Sequence, residues 1–175
     1  MARIYISLGS NIDREQHIRA GLDALLRLYG PLEVSRVFES EAVGFAGSPF
    51  YNLVVGADTD HPLPRVTRDL RELEFAHGRA VDAKKFAPRT LDLDLLLYDD
   101  LVCAEPVSLP RAEILTNAFV LWPLAELAPR RRHPVTGQSY GALWAAYDKQ
   151  SQRLQPVDFS WSQASSEPSG ESITY

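Results

Sequence analysis

The run Leu91-Asp92-Leu93-Asp94-Leu95-Leu96-Leu97-Tyr98 repeats with a period of two, which is the period of a β-strand and not of a helix. Leu91, Leu93, Leu95 and Leu97 then share one face, and Asp92, Asp94, Leu96 and Tyr98 the other. The leucine row predicts burial against helices. The two carboxylates point the same way, about 7 Å apart at roughly 3.3–3.4 Å per residue. Like charges on one sheet face repel, and a hard cation relieves that repulsion. Mg²⁺ suits such a pair, because it commonly takes one or two carboxylates and completes its shell with substrate phosphates and water. Arg89, just ahead of the strand, is placed to clamp a phosphate. The plainer alternative is an exposed strand with solvated acids and an ion-paired arginine.

Around this strand the chain alternates strands and helices. Residues 3–8 are predicted as a buried strand followed by a Gly9-Ser10-Asn11 turn. Asp13 is a candidate cap for a helix whose apolar positions Ile18, Leu22, Leu25, Leu26 and Leu28 follow helical spacing, and Gly30-Pro31 ends it. Leu32 to Ser40 and Phe50 to Ala57 are two further strands. A helix from about Pro64 to His77 is closed by Gly78, and the basic loop from Arg79 to Pro88 leads into the aspartate strand. Leu101-Val102-Cys103 is a short pairing segment, Ala112 to Leu127 a helix, and Tyr140–Tyr147 a last helical patch. The order β-α-β-β-α-β is the ferredoxin-like plan, an α+β fold with an antiparallel sheet, helices on one face and extra C-terminal helices. Residues 1–160 form one expected domain. The serine-rich stretch 161–175 has the composition of a disordered tail.

Composition narrows the function. A net charge of −5 argues against a general nucleic-acid binder, which needs a basic face. The single Cys103 excludes an internal disulfide and a thiolate metal cluster, and His17, His61, His77 and His133 lack zinc-site spacing. No signal peptide and no run of transmembrane length is present, so a cytoplasmic protein without a membrane partner is expected. No obligate protein partner is evident.

Six landmarks in order carry a family resemblance: Ser7-Leu8-Gly9-Ser10-Asn11, Glu41-Ala42-Val43-Gly44, Tyr51-Asn52, Gly78-Arg79, Pro88-Arg89-Thr90-Leu91-Asp92-Leu93-Asp94 and Ala118-Phe119-Val120-Leu121-Trp122-Pro123-Leu124. From Ile4 to about Trp144 the chain resembles the 6-hydroxymethyl-7,8-dihydropterin pyrophosphokinases of folate biosynthesis. The resemblance implies transfer of the β,γ-diphosphate of ATP to the pterin hydroxymethyl oxygen, with release of AMP. It implies that Asp92 and Asp94 hold two Mg²⁺ ions, and that Arg79 and Arg89 stabilise the migrating charge. The reduced pterin is expected to stack between Phe50 and Phe119 and to be read by Asn52, with Val43 and Gly44 completing its edge. Lys85, Phe86, Leu95 and Arg111 are expected on the ATP side, and Glu74 falls on a polar family position of the helix facing the site.

The departures cluster on the ATP side. The family's Gly-Arg-x-Arg is Gly78-Arg79-Ala80-Val81 here; Arg-Trp-Gly-Pro-Arg is Lys85-Phe86-Ala87-Pro88-Arg89; a frequent His after Pro is Arg111; an Arg two residues before Phe119 is Asn117. The expectation is an altered hold on MgATP with the metal pair intact. Three alternatives follow: a divergent paralogue using a related pterin or another donor, a pterin-binding protein without turnover, and a ferredoxin-like RNA-binding module. The acid pair argues against the second. The third lacks stacking aromatics on its strands and carries the wrong charge.

Overall fold

A computed structural model describes residues 1–40, 49–77 and 90–163. Its frame is an antiparallel sheet ordered β5-β1-β4-β3-β6, with the short β2 also pairing to β4. The strands are β1 (Ala2–Ser10), β2 (Glu33–Val34), β3 (Val37–Ser40), β4 (Phe50–Thr59), β5 (Asp92–Tyr98) and β6 (Leu154–Val157). Two helices, α1 (Arg14–Tyr29) and α2 (Leu63–Ala76), intervene at the positions expected of the ferredoxin-like plan. The α+β class and its antiparallel sheet are as expected from the element order.

Alternation along the strands divides the core between two faces. Ile4, Ile6, Leu8, Leu53, Val55, Leu91, Leu93 and Leu95 pack with Ile18, Leu22 and Leu25 of α1 and Val66 and Leu70 of α2. Each such side chain contributes about 1.5–3 kcal/mol when removed from water. On the other face Tyr5, Val54 and Leu96 meet Val120, Leu121 and Leu124 of α4 (Ala118–Leu127) and Tyr140 of α5 (Tyr140–Ala146). The extra C-terminal helices therefore cover the second face, and the sheet is sandwiched.

Five local expectations are corrected. The alternation of β5 is broken at its end: the β1–β5 register shifts between Tyr5 and Ile6, so Leu97 joins Leu96 on the second face while Tyr98 packs on the first. One extra residue turns every later side chain over. The strand expected over 32–40 divides at Ser35, whose hydroxyl accepts from Val54 N (3.0 Å) in place of a backbone carbonyl. Beside it, Arg36 N–H turns to Glu126 Oε1 of α4 (2.9 Å). The helix expected over 112–127 divides into α3 (Glu113–Thr116) and α4 at Asn117, which is extended at φ −116°, ψ 120°. Asp13 stands at the start of α1 with φ 44° but makes no side-chain cap bond. Strand β6, unforeseen, pairs antiparallel to β3.

Other signals hold. Gly30 takes φ 76° and returns its N–H to Leu26 O, ending α1, as a residue free of a Cβ does best. Cys103 forms a bridge with Leu109. Beyond residue 160, Trp161 Nε1 donates to Asp23 Oδ1 (2.8 Å), and the Gln163 side chain bonds both Leu32 N and Leu32 O. Residues 164–175, the rest of the stretch expected as a tail, lie outside the described residues.

Candidate active site

A transverse row built by strand register forms the floor of the site. Gly9 of β1 stands opposite Asp92 of β5 on one side and Asn52 of β4 on the other. Residues directly opposed across a sheet point to the same face, here the face of α4 and α5. Two residues back along β1, Ser7 lies opposite Asp94 and Val54. Because Gly9 has no side chain, the middle of the first row is a hollow. A Cβ there would meet Asn52 Oδ1 at 3.2 Å and Phe50 at 3.8 Å.

That hollow opens into a cavity of about 300 Å³ whose walls include Asp92, Asp94, Phe50, Asn52, Arg111 and Phe119. Six residues named from sequence, far apart in the chain, are thus brought together. At one end Asn52 is buried and its Nδ2 donates to Ser40 Oγ (2.7 Å). This bond fixes which way the amide faces. Phe50, at the start of β4, and Phe119, in the first turn of α4, are both half-buried and both line the cavity.

The break at Asn117 explains how Phe119 gets there. Asn117 N–H closes α3 on Glu113 O, while Asn117 O accepts from Val120 and Leu121 to open α4. Gln152 Oε1 accepts from Ala118 N (2.8 Å), tying the new helix start to the C-terminal segment. Behind it α4 is buttressed by stacked rings, Trp122 on Trp144 at 5.0 Å and Trp144 on Tyr147 at 5.6 Å, with Phe38 at 4.6 Å from Trp122.

At the other end stand the two carboxylates, both partly exposed. Their strand is pinned on its outer edge by side chains. The buried carboxylate of Glu74 accepts from Leu93 N (2.8 Å), between the two aspartates. Arg111 donates from its backbone N–H to Leu96 O (3.1 Å) and from Nε to Leu95 O (2.9 Å), and its Nη1 lies 3.7 Å from Asp94 Oδ1. Among the described residues no group of three or more His, Cys, Asp or Glu could hold a metal ion. Asp92 and Asp94 offer hard oxygen donors beside an open cavity, which fits an ion that draws its remaining ligands from substrate phosphates and water.

Leu95 does not join the cavity through its side chain, which is buried in the opposite core; only its backbone carbonyl reaches Arg111. Val43, Gly44, Arg79, Lys85, Phe86 and Arg89 lie outside the described residues. The two flanks of 78–89 are joined by a bond from the Thr90 hydroxyl to His77 O. Ser7, Ser40, Leu96, Glu113 and Val120 are also in the wall, and none of them is among the site residues expected from the sequence. Ser7 and Leu96 could have been found from the strand pattern, since they share a face with the aspartates across the sheet. Ser40 and Glu113 carry no local signal of their own.

Comparison with known proteins agrees with this geometry. Residues 5–129 match the family model described as 7,8-dihydro-6-hydroxymethylpterin-pyrophosphokinase (HPPK). A Pseudomonas aeruginosa protein named 2-amino-4-hydroxy-6-hydroxymethyldihydropteridine pyrophosphokinase is 38% identical over 137 residues, covering 75% of this chain and 84% of its own. Its namesake from Aquifex aeolicus is 31% identical over 138 residues, covering 77% and 86%. In structure, the wild-type HPPK-DHPS of Plasmodium falciparum superposes with a TM-score of 0.66 at 13% identity, over 86% of this chain and 46% of that one, which shows the fold. The match spans most of the chain and includes the cavity floor on β1, β4 and β5, and so the chain belongs to the 7,8-dihydro-6-hydroxymethylpterin-pyrophosphokinase family.

Proposed function

We propose that this protein transfers the β,γ-diphosphate of ATP to the hydroxymethyl oxygen of 6-hydroxymethyl-7,8-dihydropterin, in folate biosynthesis, and that the described cavity is where the two substrates meet. The observation that carries the reading is the three-strand row Asp92–Gly9–Asn52, which sets a charged end and an amide-bearing aromatic end in one cavity.

At the amide end, the pterin is a flat heterocycle with an amide-like edge. Asn52, its orientation held by Ser40, can donate and accept along that edge, and Phe50 and Phe119 offer ring faces to its two sides. The hydroxymethyl group then points along the floor toward Asp92 and Asp94. At the charged end the pterin oxygen forms a bond to the β-phosphorus, the bond from that phosphorus to the bridging oxygen of AMP breaks, and the hydroxyl proton leaves to water. Transfer of this kind is governed by alignment and charge neutralisation. Asp92 and Asp94 would hold a Mg²⁺ ion, which would supply charge neutralisation for the transfer. Arg111 adds a permanent cation from the strand edge, and Arg79 and Arg89 are assigned the same task from the resemblance. We place the protein in the cytoplasm. Among the described residues no helix is long and apolar enough to cross a membrane.

The nucleotide product tests the proposal. Incubated with ATP, Mg²⁺ and the dihydropterin, the protein should release AMP in step with pterin consumption. ADP as the product would mean attack on the γ-phosphorus and would refute diphosphate transfer, and release of AMP independent of pterin would refute the acceptor.

A further inference from the structure

Arg111 is the one cation seen beside the acid pair among the described residues, and it is not a loose one. Its backbone N–H and its Nε are both engaged by carbonyls of β5, from Leu96 and Leu95. These bonds tie the guanidinium to the same strand that carries Asp94. The remaining reach of the side chain ends with Nη1 at 3.7 Å from Asp94 Oδ1. That separation exceeds a hydrogen bond but is within the range of direct charge attraction. The Asp94 side chain is 46% exposed and that of Arg111 24%, so the pair can exchange partners without unburying either group. Glu113, the remaining charged residue of the cavity wall, is exposed.

A fixed positive charge at this point acts in opposite directions on the two halves of a metal–nucleotide complex. It competes with a bare divalent ion for Asp94 and repels that ion. It attracts a triphosphate, whose oxygens a guanidinium binds in a fork. We propose that Arg111 is a resident counter-ion of Asp94 and makes metal binding conditional on nucleotide: the divalent ion binds poorly alone and well as its triphosphate complex, with Arg111 passing from Asp94 to phosphate. A residue that lost its charge at neutral pH could not impose this condition, whereas arginine is charged throughout. The inference rests on the reading of Asp92 and Asp94 as metal ligands and of ATP as donor.

Binding of Mn²⁺ to the full chain, followed by the electron paramagnetic resonance signal of the free ion, tests it with and without α,β-methylene-ATP, which cannot transfer its diphosphate. Arg111→Gln should tighten Mn²⁺ binding in the absence of nucleotide about three- to tenfold, the scale of releasing a partly exposed ion pair. The same variant should bind the nucleotide, at saturating Mn²⁺, about tenfold more weakly. Arg111→Lys, which keeps the charge, should retain the wild-type affinity for Mn²⁺ alone. Unchanged or weaker binding of Mn²⁺ alone by Arg111→Gln overturns the proposal, as does Arg111→Lys matching Arg111→Gln. Asp94→Asn separates the two levels: if it binds Mn²⁺ as the wild type does under both conditions, the metal-site reading itself falls.

Discussion

The two faces of the sheet are made by the same strands and do different work. On the face under α1 and α2, Ile4, Ile6, Leu8, Leu93 and Leu95 form an unbroken apolar surface. On the face under α4 and α5 the apolar packing of Tyr5, Val54, Leu96 and Leu97 gives way at one end to Ser7, Gly9, Asn52, Asp92 and Asp94, which floor the cavity. Side-chain alternation makes this division possible within single strands: Leu93 is a core residue and its two neighbours line the cavity. Stability and chemistry are therefore separable residue by residue, and a substitution on one face should leave the other nearly untouched.

The largest contrast is expected within β5. Asp92→Asn should cut diphosphate transfer by roughly 10³-fold or more, since the charge stabilisation lost is worth several kcal/mol, with a thermal unfolding midpoint close to that of the wild type. One residue on, Leu93→Ala should lower unfolding free energy by about 2–5 kcal/mol, measured by urea denaturation, while enzyme still folded keeps its turnover. If Leu93→Ala abolishes turnover in folded protein, the faces are coupled through the backbone. At the amide end, Asn52→Ala should weaken pterin binding by roughly 1–3 kcal/mol through an unpaired polar edge, read by calorimetry; unchanged affinity would remove Asn52 from the pterin site.

The smallest effect lies in the loop between α4 and α5. His133 is buried, and burial holds its imidazole below the ordinary value; its Nδ1 accepts from the N–H groups of Val135 and Thr136, which requires a neutral ring. As pH falls through the ordinary value of about 6.5, the unfolded chain takes up a proton that the folded chain refuses. The contribution of His133 to stability is thus present at neutral pH and declines as pH drops below that value. An NMR titration should place its midpoint below the value of an unfolded His133 peptide, and a midpoint at or above it would contradict this account.

How far the sequence could be read depended on how local the signal was. The β5 alternation from Leu91 to Leu96, the helical spacing of Ile18, Leu22 and Leu25, and the stop at Gly30 are all local patterns, and the structure has each of them. The bulge at Leu96 is illegible in the sequence because it is set by pairing between β1 and β5, not by either strand. Asn117 departs from the family pattern in the sequence, but the break it makes between α3 and α4 is held by Gln152, which accepts from Ala118 N and lies 35 residues beyond Asn117. Strand β6 shows only when β3 offers it an edge. Asp92, Asp94, Phe50, Asn52, Phe119 and Arg111, all named from the sequence, line one cavity, yet the hydroxyl that orients Asn52 and the ion pair of Arg111 with Asp94 show only once the elements are packed. A partner of a functional residue is written in the fold, and the functional residue itself is often written in the strand.

Asp94→Ala offers the most direct test of the division between the faces. Pterin-dependent AMP release and thermal unfolding should be measured side by side on this variant and on the wild type. AMP release lost together with an unfolding transition and a pterin affinity close to those of the wild type is the predicted result. Substantial AMP release from a folded Asp94→Ala protein would contradict it, and would mean that the polar face of β5 is not where the diphosphate is transferred.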